Sequence, residues 1–136
     1  KQNIRAVTAE QLGELVDFIS IDVAFISLDK VLPVATTLLK NTGSLVALIK
    51  PQFEAGKEKV GKGGIVRERA VHEEVLSRIL QVAYDCKLYL HGLTFSPIKG
   101  TEGNIEFLGY FTKSEEGALS ITDELITAVV DEAHTL

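Results

Sequence analysis

Two apolar, β-branched runs, Phe18-Ile19-Ser20-Ile21-Asp22-Val23 and Ser44-Leu45-Val46-Ala47-Leu48-Ile49, are separated by residues 24–43, which hold a single helical pattern. This spacing constrains the fold more than any other feature of the chain. A hairpin needs only a short turn, whereas a long segment with one helix joins parallel strands through a crossover. The fold class predicted is therefore α/β. Within the crossover, Leu28 to Leu39 reads as a helix starting near Asp29 or later, because Pro33 is tolerated best in a first turn. Asn41-Thr42-Gly43 reads as its stop, and Lys50-Pro51 ends the second strand.

The rest of the chain extends that sheet. Thr8-Ala9-Glu10-Gln11 is a capping-box pattern for a short helix. Pro51 to Val66 is a loop rich in Gly and Lys, and Ala70 to Cys86 is an amphipathic helix with Val71, Val75, Ile79, Val82 and Ala83 on one stripe. Leu88 to Phe95 and Ile105 to Phe111 are strands joined by a turn at Ser96 to Gly103, short enough to make them antiparallel. Ser120 to Asp123 caps a last helix with Ile121, Leu125, Val129 and Val130 inward.

Composition excludes several classes. With 46% hydrophobic residues, the 136-residue chain can bury a core, which rules out disorder. The most apolar window, Leu15 to Leu28, is short and broken by Asp17 and Asp22, so no membrane span is expected. A lone cysteine, Cys86, and no recognisable signal peptide point to a reducing, cytoplasmic setting. The absence of methionine and the start at Lys1 suggest part of a longer protein.

The net charge of −5 is unevenly spread. Ser114 to Leu136 holds Glu115, Glu116, Asp123, Glu124, Asp131 and Glu132 without Lys or Arg, which leaves the body slightly basic. Residues 1–113 and this acidic C-terminal helix, 114–136, are read as two parts of one domain. Lys50, Lys57, Lys59, Lys62, Arg67 and Arg69 make the middle of the chain locally basic, so an anionic partner fits it.

Open α/β sheets bind ligands at the carboxyl ends of their parallel strands. Asp22 closes the first strand and Lys50 the second. An antiparallel strand enters the sheet at that same edge, so Glu106, near the start of Ile105 to Phe111, faces it too. Strand spacing of about 4.8 Å lets the three converge. A structural ion-pair cluster is the alternative, although desolvating three charges costs stability. Gly56 to Gly63 fits the GxxxxGK part of a phosphate-binding loop, but Gly63 supplies no hydroxyl and no strand leads into it. The segment reads better as a basic loop lying along a phosphate backbone. His72, His91 and His134 are too scattered for a metal pattern, His72 is expected on the solvated side of its helix, and Cys86 is expected to pack.

Four segments in order, Ile21 to Leu28, Lys50-Pro51-Gln52-Phe53-Glu54, Ser96 to Gly100 and Gly103-Asn104-Ile105-Glu106-Phe107-Leu108, resemble the TlyA, or hemolysin A, family. That family resembles FtsJ-type RNA 2'-O-methyltransferases placed behind a small S4-type RNA-binding domain. The likeness runs to about Lys113. It implies a Rossmann-like class I methyltransferase sheet, S-adenosyl-L-methionine as cofactor, and ribosomal RNA or ribosomal subunits as partner, with cytidines as targets. It also implies a Lys-Asp-Lys-Glu tetrad whose last three members are Asp22, Lys50 and Glu106. Asp22 and Phe25 are the implied cofactor contacts, and Lys57, Lys59, Lys62, Arg67 and Arg69 the RNA contacts; no metal is required.

Ala24 stands where the family often has serine. The first tetrad lysine, the S4-type domain and the glycine-rich cofactor loop belong upstream of Lys1. The chain thus reads as the second half of the methyltransferase domain, two parallel strands plus an antiparallel pair. Alone it is expected to be inactive, to bind the cofactor poorly, and to expose an apolar strand edge that invites a homo-oligomer. Two other functions are compatible with parts of the pattern: a ribosome-assembly factor with vestigial catalysis, and a pore-forming hemolysin, against which the α/β pattern argues.

Overall fold

Period-two burial along the strands sets the architecture. In β1 (Val16–Ile21), Ile19 and Ile21 are buried while Phe18 and Ser20 are exposed. In β2 (Leu39–Ile49), Leu45, Ala47 and Ile49 are buried and the residues between them only partly so. One face of the sheet is therefore the core face. In the computed structural model, residues 15–24, 26–56, 60, 64–96 and 103–135 are described. The helix expected at Thr8 to Gln11, Phe25, the loop lysines Lys57, Lys59 and Lys62, and residues 97–102 lie outside them.

The described elements continue as α1 (Leu28–Leu38), α2 (Pro51–Glu54), α3 (Arg69–Asp85), β3 (Tyr89–Phe95), β4 (Phe107–Thr112) and α4 (Asp123–His134). The sheet order is β1-β2-β4-β3. β1 and β2 are parallel, in register from Phe18 opposite Ser44 to Ile21 opposite Ala47. β4 is antiparallel to both β2 and β3. The mixed α/β sheet with two parallel strands and an antiparallel pair is as the sequence implies.

The core is a single apolar cluster. Phe107 and Phe111 of β4 are fully buried beside Leu45 and Ile49 of β2 and the α3 stripe Val75, Leu76, Ile79 and Leu80. Burying each such side chain contributes about 1.5–3 kcal/mol. Helix α4 packs on α3 and β3 through Ile126, Val129, Val130 and Ala133, and Thr122 caps it by accepting from the Leu125 amide at 3.1 Å.

Three local readings need correction. Helix α1 begins at Leu28, capped by the Ser27 hydroxyl, which accepts from the Asp29 amide at 3.2 Å. Pro33 thus lies in the second turn, where it is exposed. Asn41-Thr42-Gly43 does not stop the chain but lies within β2. A Cβ on Gly43 would sit 2.6 Å from Leu39 Cδ1 and 2.8 Å from the Asp17 carbonyl, so the glycine permits close packing against β1 rather than a turn. Strand β4 starts at Phe107, which leaves Glu106 in the approach to the strand.

Candidate active site at the sheet edge

Lys50 follows the last residue of β2 and is the N-cap of the short helix α2, with Pro51 in its first turn. Its carbonyl accepts from the amides of Phe53 at 2.9 Å and Glu54 at 3.2 Å. The turn is therefore fixed in its own backbone, and three of its side chains reach three different neighbours.

The first is Lys50 itself, whose Nζ stands 2.5 Å from Asp22 Oδ1 just past the end of β1. The lysine side chain is 15% exposed and the aspartate 47%. The second is Gln52, whose Nε2 donates to Glu106 Oε2 at 3.0 Å. Ile49 and Phe107 are the last pair of the antiparallel ladder, so Lys50 and Glu106 both lie just beyond its end, at the same edge. Glu106 is buried, and its carbonyl accepts from the Ser96 amide at 2.8 Å, which ties it to the end of β3. The third is Glu54, whose side chain is 3% exposed. Its carboxylate accepts from Ser27 Oγ at 2.6 Å and the Leu28 amide at 2.9 Å, and it pairs with Arg78 Nη2 of α3 at 3.1 Å. Arg78 also donates to the Glu54 carbonyl at 2.7 Å.

The edge thus gathers Asp22, Lys50 and Glu106 from three strand ends, as strand direction requires. What it can do chemically follows from the charges. A poorly exposed ammonium, anchored by a half-exposed carboxylate at an edge that also carries a second, buried one, can orient a hydroxyl and stabilise negative charge developing on it. Gln52 and Glu54 were not singled out from sequence as site residues. Their alternation with Lys50 in one turn was the available signal.

Besides Lys50, Arg67 and Arg69 are the basic residues of the chain's locally basic middle that are described. Arg67 is exposed and lines a cavity of about 340 Å³ with Ile65, Val66, His72, Ile105 and His134. Arg69 is the first residue of α3 and pairs with Asp131 of α4. Asn104, two residues before Glu106, clamps the end of the basic loop: its Oδ1 accepts from the Val66 amide at 2.9 Å and its Nδ2 donates to the Gly64 carbonyl at 2.9 Å.

His72 is not on the solvated side of α3 but fully buried. Its Nδ1 lies 2.8 Å from His134 Nε2 and its Nε2 lies 3.1 Å from the Val66 carbonyl, so two of the three scattered histidines do meet. Carbonyl acceptance makes Nε2 the protonated nitrogen of a neutral ring and leaves Nδ1 to accept from His134. Burial, and then the His134 charge, lower the His72 pKa to about 4. Burial and Arg69 lower that of His134 as well. Among the described residues no group of three or more His, Cys, Asp or Glu is placed to hold a metal ion, and no helix is long and apolar enough to cross a membrane.

Residues 1–113 match the model of the family described as FtsJ-like methyltransferase. The chain is 46% identical to "Putative rRNA methyltransferase YqxC" of Bacillus subtilis, over 98% of this chain and 49% of that protein. It is 33% identical to "16S/23S rRNA (cytidine-2'-O)-methyltransferase TlyA" of Mycobacterium tuberculosis, over 88% of this chain and 45% of that protein. A solved structure, "Putative hemolysin from Streptococcus thermophilus", superposes with a TM-score of 0.88 at 43% identity, over 98% of this chain and 48% of that one. The chain spans about half the length of the relatives it matches. With the α/β sheet and the ordered motifs of its strand ends, this match places the chain in the FtsJ-like methyltransferase family, on its TlyA and hemolysin A branch.

Proposed function

We propose that the longer protein to which this chain corresponds is an S-adenosylmethionine-dependent ribosomal RNA 2'-O-methyltransferase, and that this chain supplies three of its catalytic side chains, Asp22, Lys50 and Glu106. The observation that carries the reading is the Lys50–Asp22 pair at the carboxyl edge of the parallel strands, with Glu106 just beyond the same end of the β2–β4 ladder. The relatives' names point to the same chemistry.

Asp22 fits a cofactor wall, because its carboxylate remains about half exposed while it holds Lys50. Asp22 and Phe25 would hold the cofactor, which supplies a methyl group already activated for transfer. The residues of this chain then have two tasks. A ribose hydroxyl is a weak nucleophile, so it must be held in line and its proton released as the new O–C bond forms. The Lys50 ammonium, fixed by Asp22, orients the oxygen and stabilises the charge that develops there. Glu106 keeps the cation in register from the opposite side. Arg67 and the loop lysines Lys57, Lys59 and Lys62 would meet backbone phosphates, which position RNA without reading sequence.

The test is methylation of ribosomal subunits by the full-length protein and its Lys50→Ala variant. The variant is expected to lose at least roughly a hundredfold in rate with an unchanged circular-dichroism spectrum, the loss typical of a charge-stabilising donor. Retained activity in the folded variant would reduce the cluster to a structural ion pair.

A further inference from the structure

Gln52 combines two features that packing alone does not explain. Its Nε2 donates to the Glu106 carboxylate, and its Oε1 is buried with no hydrogen-bond partner. Burying an unpaired carbonyl oxygen costs about 1–3 kcal/mol. An apolar side chain of similar length would fill the space without that cost, so what keeps the amide is the carboxylate that its nitrogen holds. The assignment of its two atoms follows from the neighbour: an ionised carboxylate accepts and cannot donate, so the nitrogen must face Glu106.

The chemistry of the donor matters as much as its position. A lysine or arginine at this place would hold Glu106 more strongly, but would also neutralise it. A neutral amide fixes the carboxylate while leaving its full charge to act on the ammonium of Lys50. Gln52 is two residues from Lys50, in a turn whose backbone is closed on the Lys50 carbonyl. The element that carries the lysine therefore also sets, through Gln52, the position of the glutamate at the same edge.

We propose that Gln52 is the positioning residue for Glu106 in methyl transfer. The proposal rests on the reading of Asp22, Lys50 and Glu106 as catalytic. Gln52 touches neither the reacting atoms nor the RNA. It locks the carboxylate in the orientation in which it steadies Lys50.

Two variants of the full-length protein test this, assayed for methylation of ribosomal subunits between pH 6 and 9. Gln52→Leu removes the donor and is expected to lower kcat about tenfold at every pH while leaving the KM for RNA within about twofold, the value of one hydrogen bond to a charged group. Gln52→Glu replaces the amide by a carboxyl facing a carboxylate. Two such groups hold one proton between them, and the O–H then replaces the lost N–H. Its rate is expected to approach that of the parent at the acid end and to fall as the shared proton leaves. That descending alkaline limb should be absent from both the parent and Gln52→Leu. Asp22, Lys50, Glu54 and Arg78, the other charged groups of this neighbourhood, are common to all three proteins. A parent-like rate for Gln52→Leu, or a Gln52→Glu profile that tracks Gln52→Leu at every pH, would overturn the proposal. Lys50→Ala separates the two levels: full activity there defeats the catalytic reading itself, whereas a dead Lys50→Ala beside a parent-like Gln52→Leu defeats only the role of Gln52.

Discussion

The sheet edge and the seam between α3 and α4 both bury ionisable side chains drawn from distant parts of the chain, and they do so in opposite ways. At the edge, charges are matched: Lys50 on Asp22, Arg78 on Glu54, with Glu106 held by an amide. At the seam, His72 and His134 meet ring to ring, against Phe107 and the Val66 carbonyl. Burial, and then the His134 charge, outweigh the bond to the Val66 carbonyl, so the His72 ring is held neutral. Charge kept at a cost and left partly open to solvent, as on Asp22, suits chemistry. A buried neutral ring held by a second histidine suits cohesion between helices.

The comparison breaks first on pH. In the fold the His72 pKa is about 4, against the ordinary 6.5 of an unfolded histidine. The unfolded chain therefore takes up this proton first as pH falls. The contribution of His72 is complete above about pH 6.5 and is lost progressively down to about pH 4, on the order of 2–3 kcal/mol. His134 shifts in the same direction. Denaturant unfolding of the full-length protein at pH 7 and pH 4.5 should show a smaller difference in His72→Phe than in the parent, with methyl transfer at pH 7.5 retained. Equal pH slopes in the two proteins would mean that the seam is not the pH-sensitive part of the fold.

Glu54 sharpens the contrast from the side of the edge, holding the Lys50 turn to α1 and to α3. Glu54→Gln replaces one of the two oxygens that accept from Ser27, Leu28 and Arg78, and is expected to cost about 1–2 kcal/mol in stability together with a several-fold slower methyl transfer. A stability loss without any rate change would show that the catalytic turn holds its shape without this anchor.

The smallest effect is expected from the Arg69–Asp131 pair, where both side chains are about half exposed. Arg69→Ala should change stability by no more than a few tenths of a kcal/mol, as measured by thermal melting in 150 mM salt. A loss above about 1 kcal/mol would mean that α4 is held by charge and not by the apolar contacts of Val129 and Val130.

Strand direction was legible in the sequence because it follows from connection length, and direction alone brings Asp22, Lys50 and Glu106 to one edge. Periodicity likewise determined the amphipathic stripe of α3 and the inward Val129 and Val130 of α4. Helix type and inward face are local properties, set by spacings of three and four residues. Tertiary structure decided what local chemistry leaves open. His72 is one step along α3 from Val71 and reads as polar, yet α4 brings a second histidine over it, and that partner together with the Val66 carbonyl makes its burial tolerable. Gly43 carries a turn signal that is overruled because β1 lies too close for any side chain. Gln52 and Glu54 look like ordinary polar residues until the turn closes on the Lys50 carbonyl and aims one at Glu106 and the other at Ser27 and Arg78. A hydrogen-bond partner fifty-four positions away leaves no trace in local pattern, because what selects the residue is the atom it meets and not the neighbours it follows.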